Sequence, residues 1–374
     1  SVLLTRSNRS EKNRPLLGFP VWDWKPGSQS VFEQVKSKPE GSLAYEKAIQ
    51  KAEKALSKRT GLFAEEEGNG IVIGAEGSGK TTGILVPLVV EDAYKTANLV
   101  VSSVKDDIYA RTAALRSTYG KVMIYDPLGT IPGGDHFRVK WSPIDSCRNW
   151  RSAQRVAASF ISQAGVSKGN RGEYFAAQAA TALGPMLYAA FLSGTKLDGL
   201  MQWLSAFQHN PLDPTLPSIL RKAADSGIRD ALPALYAWEM VVGNKSQNTA
   251  SQPFQTINSA MNAYRLMEVL DYANTADDDE AVFRPEEFVR GKGQTLYLVV
   301  PDAEQNILKP VLVALLTEIE HAAVAYAREA GGRLPEKLAF ILDEMAVAAP
   351  IPQLPGLLAT CRSRNISVWT GWQD

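Results

Sequence analysis

The chain has 374 residues, of which 45% are hydrophobic and 21% charged, and its 40 lysines and arginines are balanced by 40 acidic residues. This is the composition of an ordinary folded protein with room for two domains, and a net charge of zero gives no overall electrostatic preference for nucleic acid or membranes. The two cysteines, Cys147 and Cys361, are far apart and lack a CxxC partner. This spacing excludes a disulfide scaffold and a cysteine-based zinc site, and it is typical of a reducing compartment.

Residues 1–67 are predicted to form a peripheral N-terminal arm. Pro15, Pro20 and Pro26 favour irregular chain in its first half, whereas the pattern from Ser42 to Arg59 favours a helix. The arm contains none of the motifs described below.

From Gly68 onward, short apolar runs alternate with helical stretches. Each run is rich in Val, Ile, Leu or aromatic residues and is bounded by Gly, Pro or charge, which predicts a buried strand. The runs are continuous rather than alternating, so we expect a parallel sheet covered by helices on both faces, a doubly wound α/β fold. The predicted strands are Ile71–Gly74, Leu99–Val104, Lys121–Tyr125, Thr295–Val300, Leu338–Leu342 and Ile366–Gly371, and helices such as Asp107–Tyr119 and Lys309–Ala330 intervene.

About 170 residues separate the third and fourth strands, which is too long for a loop. Helical periodicity dominates this interval, so an all-helical domain is predicted at residues 145–275, inserted into a sheet domain at 68–144 and 276–374. The stretch Tyr174–Gly194 is as long as a membrane span, but Gln178, Gly184 and Pro185 interrupt it, which favours a buried helix. The predicted helices are Ser152–Gln163, Tyr174–Phe191, Leu197–Phe207, Pro217–Ala224 and Ser246–Asp271.

The strongest motif is the segment GAEGSGKT at residues 74–81, which matches the phosphate-binding pattern G-x-x-x-x-G-K-[ST]. Its glycines let the backbone wrap around phosphates, Lys80 would neutralise the β- and γ-phosphates, and the Thr81 hydroxyl would bind Mg²⁺. A strand precedes the motif and a helix follows, although Pro87 must bend that helix or lie in its first turns. ATP and Mg²⁺ are therefore expected cofactors. The predicted binding residues are Gly74, Glu76, Gly77, Ser78, Gly79, Lys80, Thr81 and Thr82.

A second acidic element follows the strand Leu338–Leu342, where Asp343 and Glu344 are adjacent. A phosphate-binding loop requires an acid to hold Mg²⁺ and a group to position the attacking water. Asp343 is predicted to bind Mg²⁺ and Glu344 to act as the general base. Because a kinase does not need to activate water, this pair favours ATP hydrolysis over phosphoryl transfer to a small acceptor.

Polar residues near the last strand have alternative interpretations. Gln373 follows that strand, where RecA-like motors place a γ-phosphate sensor, but it can equally be an ordinary strand-end residue. Arg362 and Arg364 precede the strand, and either can be an arginine finger for a neighbouring subunit or a surface arginine. Of the two, Arg364 is the candidate catalytic residue. Asp126 and Lys105 follow other strands and either line the nucleotide site or stabilise turns.

Together the motifs predict a RecA-like P-loop nucleotide-binding domain with an inserted all-helical domain. Their order and spacing resemble the TraG-like coupling ATPases of type IV secretion and conjugation, within the FtsK–HerA group of DNA pumps. The resemblance covers residues 70–374 and is strongest at 338–374, where the acidic strand, a proline-rich loop, R-S-R and a strand leading to Gln occur in the family's order. The segments 100–127, 141–157 and 293–302 also match, in a version closest to those of actinobacteria and other Gram-positive bacteria.

The resemblance implies a membrane-anchored homo-hexamer at the cytoplasmic face of the cell membrane. Such a motor recruits a relaxase within its relaxosome and moves DNA, single-stranded and without sequence preference, or protein, to the proteins of a secretion channel. The helical domain would serve in substrate docking. The family's membrane helices and the closing strands after Gln373 are not recognisable, so we expect this chain to be a truncated member whose nucleotide-binding domain is incomplete at its C-terminus.

Three other functions are weighed against this one. The first is another FtsK–HerA pump acting on double-stranded DNA, which the large helical insert and the proline-rich loop disfavour. The second is a nucleotide-gated docking scaffold with little turnover, which DNA-stimulated phosphate release would separate from a motor. The third is a small-molecule kinase, which the adjacent Asp343 and Glu344 disfavour.

Overall fold

The computed structural model describes residues 16–18, 62–63, 68–74, 78–91, 94–164, 170–243, 247–276, 279–343 and 361–372. Within the predicted N-terminal arm, the described residues form two short strands, β1 (Leu16–Gly18) and β2 (Leu62–Phe63), which pair in antiparallel fashion. The helix predicted at Ser42–Arg59 lies outside these ranges.

A six-stranded, fully parallel sheet is the centre of the fold. It has the order β3-β8-β7-β4-β6-β5, and every predicted strand is present with each end within one residue of its predicted position. The prediction of a doubly wound α/β fold is thereby confirmed. The strands are β3 (Gly70–Ile73), β4 (Asn98–Ser103), β5 (Val122–Tyr125), β6 (Thr295–Val299), β7 (Leu338–Leu342) and β8 (Ile366–Trp372).

Eleven α-helices are present in the described part of the chain. They are α1 (Val86–Val90), α2 (Asp107–Arg116), α3 (Trp150–Ile161), α4 (Asn170–Ser193), α5 (Leu197–His209), α6 (Thr215–Asp225), α7 (Ala231–Val242), α8 (Gln247–Ala260), α9 (Met267–Ala273), α10 (Pro285–Arg290) and α11 (Gln305–Glu329).

Helices cover both faces of the sheet at its central strands, which explains why these strands are mostly apolar, whereas Ile71 and Ile73 of the edge strand β3 are exposed. On β4, Leu99 and Val101 pack in a cluster with α1 and α2. Val100, between them, points to the other face and belongs to the core that contains α11 and the helices of the insertion. The alternation of side chains along a strand thus assigns successive residues of one apolar run to two different cores.

The helix after the phosphate-binding loop begins irregularly. Thr81–Leu85 form a π-helical turn, closed by a hydrogen bond from the Val86 amide to the Thr81 carbonyl, before α1 continues. Pro87 therefore lies in the first turn of α1, directly after this widened, π-helical turn.

Eight described helices, α3–α10, lie between β5 and β6, and seven of them, α3–α9, fall within the predicted insertion at 145–275. Two features differ from the predictions. Helix α7 was not predicted, and the single helix predicted at Ser246–Asp271 is broken into α8 and α9 by a 3-10 turn, Asn262–Arg265. No glycine or proline marks the break. It occurs where Met261 and Tyr264 are buried in the core, so tertiary packing overrides local helix propensity.

Helix α4 is the described helix whose length and apolar character could span a membrane. Over half of that stretch, 56%, is buried within the protein. Residues such as Leu183, Met186 and Leu187 are fully buried in the core, which agrees with the interpretation of this segment as a core helix.

Arg116 at the end of α2 connects the amino ends of the central strands. It is fully buried and donates hydrogen bonds to the Tyr94, Ala97 and Gly293 carbonyls and to the Thr295 hydroxyl, over 2.7 to 3.1 Å. Burial lowers the pKa of Arg116 to about 10, so the guanidinium remains charged at neutral pH.

The Arg116→Met substitution is expected to destabilise the fold by about 3–5 kcal/mol, because it leaves buried carbonyls without donors. The matched control is Arg111→Met on the same helix, where the arginine is exposed. Urea unfolding of both variants measures the difference. Equal stabilities would show that the Arg116 hydrogen bonds contribute nothing.

Helix α3 of the insertion is joined to α11 of the sheet region by a bidentate ion pair. The Arg155 guanidinium donates to both carboxylate oxygens of Glu318, each over 2.7 Å. His321 lies one turn further along α11. Burial lowers the pKa of His321 to about 4, and the positive charges of Arg155 and Arg328 contribute to the shift.

The protein is expected to lose about 1–3 kcal/mol of unfolding free energy as pH falls from about 6.5 to 4 through His321 alone. The unfolded chain binds a proton at this histidine in that range, whereas the folded chain does so only near pH 4. Urea unfolding at several pH values should show a flatter profile for His321→Gln. His209→Gln, at an exposed position on α5, is the control and should leave the profile unchanged.

Candidate functional site

The candidate site lies at the carboxyl edge of the parallel sheet, where all six strands end together. Strand β3 leads into the phosphate-binding loop, and β7 ends at Asp343. These two strands are not neighbours, because β8 lies between them. This edge is where open α/β sheets bind ligands.

Thr81 and Asp343 are brought into direct contact at this edge. The Thr81 hydroxyl donates a 2.6 Å hydrogen bond to Asp343 Oδ2, across 262 positions of sequence. Asp343 is only 5% exposed, and its amide donates to the Ser102 carbonyl of β4 over 2.9 Å. The two residues predicted as Mg²⁺ ligands therefore form one cluster of hard oxygen atoms, the ligand type that Mg²⁺ prefers.

The phosphate-binding loop is compact at both of its described ends. Gly79 has φ +81°, a left-handed conformation that favours glycine, and a Cβ on Gly74 would approach Ser78 Oγ to 2.8 Å. The Lys80 ammonium donates to the Gly74 carbonyl, which folds the lysine back over the loop. Ser78, Gly79 and Thr82 are exposed, so the surface of the loop is open to a ligand.

Four predicted site residues lie outside the part of the chain that the structure describes. They are Glu76 and Gly77 of the phosphate-binding loop, the predicted general base Glu344, and the predicted sensor Gln373. Their roles remain predictions.

Arg364 is not brought to this edge. It belongs to the 3-10 turn Arg362–Arg364, immediately before β8, and thus lies at the amino edge of the sheet. Seven residues of β8 separate it from the opposite edge, a distance of roughly 20 Å. Arg364 therefore cannot contact a phosphate bound at Thr81 of its own chain.

Asp126, which follows β5, stabilises a turn. Its fully buried carboxylate accepts hydrogen bonds from the Thr130 amide and hydroxyl and from the Ile131 amide, over 2.9 to 3.0 Å. These hydrogen bonds account for the buried carboxylate as part of the turn, so no contact with a nucleotide is needed to explain it. Lys105 and Asp106 after β4 are both exposed, and a place for Lys105 in lining the nucleotide site stays a prediction.

A cavity of about 290 Å³ lies where the chain enters and leaves the helical insertion, lined by residues that include Trp141, Arg148, Phe283 and Arg284. Among the described residues, none of the phosphate-binding loop lines it, and neither does Asp343. We therefore do not assign the nucleotide to this cavity.

Comparison with protein families shows a match over residues 25–374 to the model for the conjugative DNA transfer proteins of type IV secretory systems. No curated protein sequence matches the chain.

Solved structures of the plasmid coupling protein TrwB have a similar fold. An unbound form of this bacterial conjugative coupling protein matches with a TM-score of 0.57 and 19% identity, over 82% of this chain and 62% of the TrwB chain. TrwB with the ATP analogue ADPNP and TrwB with ADP and Mg²⁺ both match with TM-scores of 0.58 and 18% identity, over 82% of this chain and 64% of theirs. The chain thus spans less than two thirds of the TrwB chains, and at this identity the likeness concerns the fold.

Proposed function

Because the chain belongs to the conjugative DNA-transfer family of type IV secretory systems, we propose that it is an ATP-hydrolysing coupling protein. In this role it recruits DNA, single-stranded and carried with a relaxase, or protein substrates, and helps move them to the secretion channel. The free energy for this work comes from hydrolysis at the carboxyl edge of the sheet.

The contact between Thr81 and Asp343 carries this proposal. A hydroxyl and a carboxylate at the end of the phosphate-binding loop match the donor set of a Mg²⁺ site in P-loop hydrolases. Bound Mg²⁺ would neutralise charge on the β- and γ-phosphate oxygens. ATP and Mg²⁺ are also the ligand types found in structures of TrwB, as ADPNP and as ADP with Mg²⁺.

The other site residues have proposed roles around this pair. Amide groups of residues 74–81 bind the phosphates, and the Lys80 ammonium exchanges the Gly74 carbonyl for phosphate oxygens. Glu344 holds the attacking water and accepts its proton, and Gln373 senses the γ-phosphate. Since Arg364 lies at the amino edge, its catalytic role requires that it reach the nucleotide of a neighbouring subunit.

The assembly that we propose is a homo-hexamer at the cytoplasmic face of the cell membrane. Residues 68–144 and 276–374 form its motor domain, and residues 145–275 form the helical domain that docks relaxase and other substrates. DNA is gripped through its phosphates irrespective of sequence, because a pump must move along any sequence.

Phosphate release by the full-length protein, measured without DNA, with single-stranded DNA and with double-stranded DNA, tests the proposal. We expect single-stranded DNA to stimulate turnover, and we expect conjugative transfer to require the intact gene. Stimulation by double-stranded DNA alone would indicate a double-stranded DNA pump. Normal ATP binding without stimulation by either DNA would indicate a docking scaffold.

A further inference from the structure

The contact between Thr81 and Asp343 spans an intervening strand. Thr81 follows β3 and Asp343 follows β7, and β8 separates the two. Neighbouring strands lie about 4.8 Å apart, so β3 and β7 are about 10 Å apart. Thr81 lies eight residues beyond the end of β3, so the phosphate-binding loop and the Asp343 side chain together bridge this distance, and the carboxylate lies over β8.

Gly371 is the residue of β8 over which that side chain extends. It pairs with Val72 of β3, and the preceding Thr370 pairs with Leu342 of β7, so Gly371 lies directly beside Asp343. A Cβ at this position would lie 2.6 Å from Asp343 Oδ1 and 3.4 Å from Asp343 Cα and Leu85 Cδ1. Real Cβ atoms do not approach an oxygen this closely, so a methyl group here and the present carboxylate position are incompatible.

The backbone does not explain a glycine at this position. Gly371 is not one of the described glycines with positive φ, and it lies inside a regular strand, a conformation that any residue adopts. Glycine in a strand interior is destabilising relative to alanine and often marks the close approach of another group. The group that approaches Gly371 is the carboxylate of Asp343.

We propose that Gly371 is a positioning residue for the metal site: its lack of a side chain leaves open the space over β8 that the Asp343 carboxylate occupies when it shares Mg²⁺ with Thr81. This inference rests on the proposed role of Asp343 in Mg²⁺ binding. A methyl group at position 371 displaces the carboxylate away from Thr81 and leaves the phosphate-binding loop itself in place.

The test uses the full-length protein and a fluorescent ADP probe, titrated in EDTA and then with increasing Mg²⁺. The Gly371→Ala variant should bind the probe in EDTA as the wild type does, because the loop amides and Lys80 are retained. Its apparent Mg²⁺ affinity should fall by about 10–100-fold, the usual effect of displacing a group that orients a metal ligand. Gly83→Ala is the matched control, since a Cβ there meets nothing within 4 Å, and it should behave as the wild type.

The possible outcomes separate this inference from the proposed function. If the wild type binds the probe without any response to Mg²⁺, the proposed function itself fails. If the wild type responds to Mg²⁺ and Gly371→Ala responds identically, only the positioning role is overturned. Equal weakening of probe binding in EDTA and in Mg²⁺ would also overturn it, because the damage would then lie in the loop.

A double-mutant cycle in thermal stability covers the case of a variant that folds poorly. The Gly371→Ala change should lower the melting temperature in the wild-type background, and most of this loss should disappear in the Asp343→Ala background, where the opposing oxygen is absent. An identical loss in both backgrounds would show that the methyl group collides elsewhere, which overturns the inference.

Discussion

The Lys80→Ala variant should lose ATP turnover by at least about 10²–10³-fold and should bind ATP weakly. A cationic group that stabilises the negative charge on the transferring phosphate contributes to the rate on this scale in other enzymes. In the structure, Lys80 is folded over the loop by its bond to the Gly74 carbonyl, so it is placed to exchange that carbonyl for phosphate oxygens. Phosphate release and equilibrium binding of a fluorescent ATP analogue measure the two effects.

The control for this variant is Lys222→Ala, at an exposed position on α6 of the helical insertion. It removes one positive charge at a distance from the phosphate-binding loop and should leave turnover unchanged. Equal turnover of Lys80→Ala and the wild type would exclude nucleotide hydrolysis at this loop.

The Glu344→Gln variant is expected to bind ATP as the wild type does while its turnover falls by about 10²–10⁴-fold, the range for loss of a general base. The amide keeps the shape of the side chain but cannot accept a proton from water. In this variant, binding of the ATP analogue should therefore be retained while phosphate release falls. In Lys80→Ala, both should fall.

Asp343→Asn is the informative comparison, because the adjacent acid has a different proposed role. Its carboxylate contacts Thr81, so its loss should weaken the response of nucleotide binding to Mg²⁺. Glu344→Gln should leave that response intact. Normal turnover by Glu344→Gln would show that the base is another residue.

Much of the sheet could be predicted from the sequence because the physical signal is local. Each strand is a short continuous apolar run, and burial on both faces requires that pattern. The meeting of Thr81 and Asp343 follows from the interpretation of both residues as Mg²⁺ ligands, and the parallel sheet brings them to one edge.

Other features depend on tertiary contacts that no local pattern encodes. The break between α8 and α9 occurs at buried Met261 and Tyr264 without a glycine or proline. The role inferred for Gly371 depends on the strand order, which places β8 between the two strands of the site. The sequence does show a glycine within an apolar run. This glycine alone does not reveal which side chain lies against it.

Arg364 shows how topology limits a prediction from spacing alone. Its position between the acidic strand and β8 suits an arginine finger, yet the turn that contains it lies at the amino edge. Sequence distance from Asp343 carries no information about the edge of the sheet to which a residue belongs.

One apolar core continues from the sheet into the helical insertion, with Val100 of β4, Val311 of α11 and Phe160 of α3 in a single cluster. The two regions consequently do not have separate hydrophobic cores. Loosening the packing of α3 against α11 would lower the unfolding free energy of both regions. A force applied to the insertion would reach the strands through tightly packed side chains. The insertion and the sheet are thus expected to move as one rigid unit.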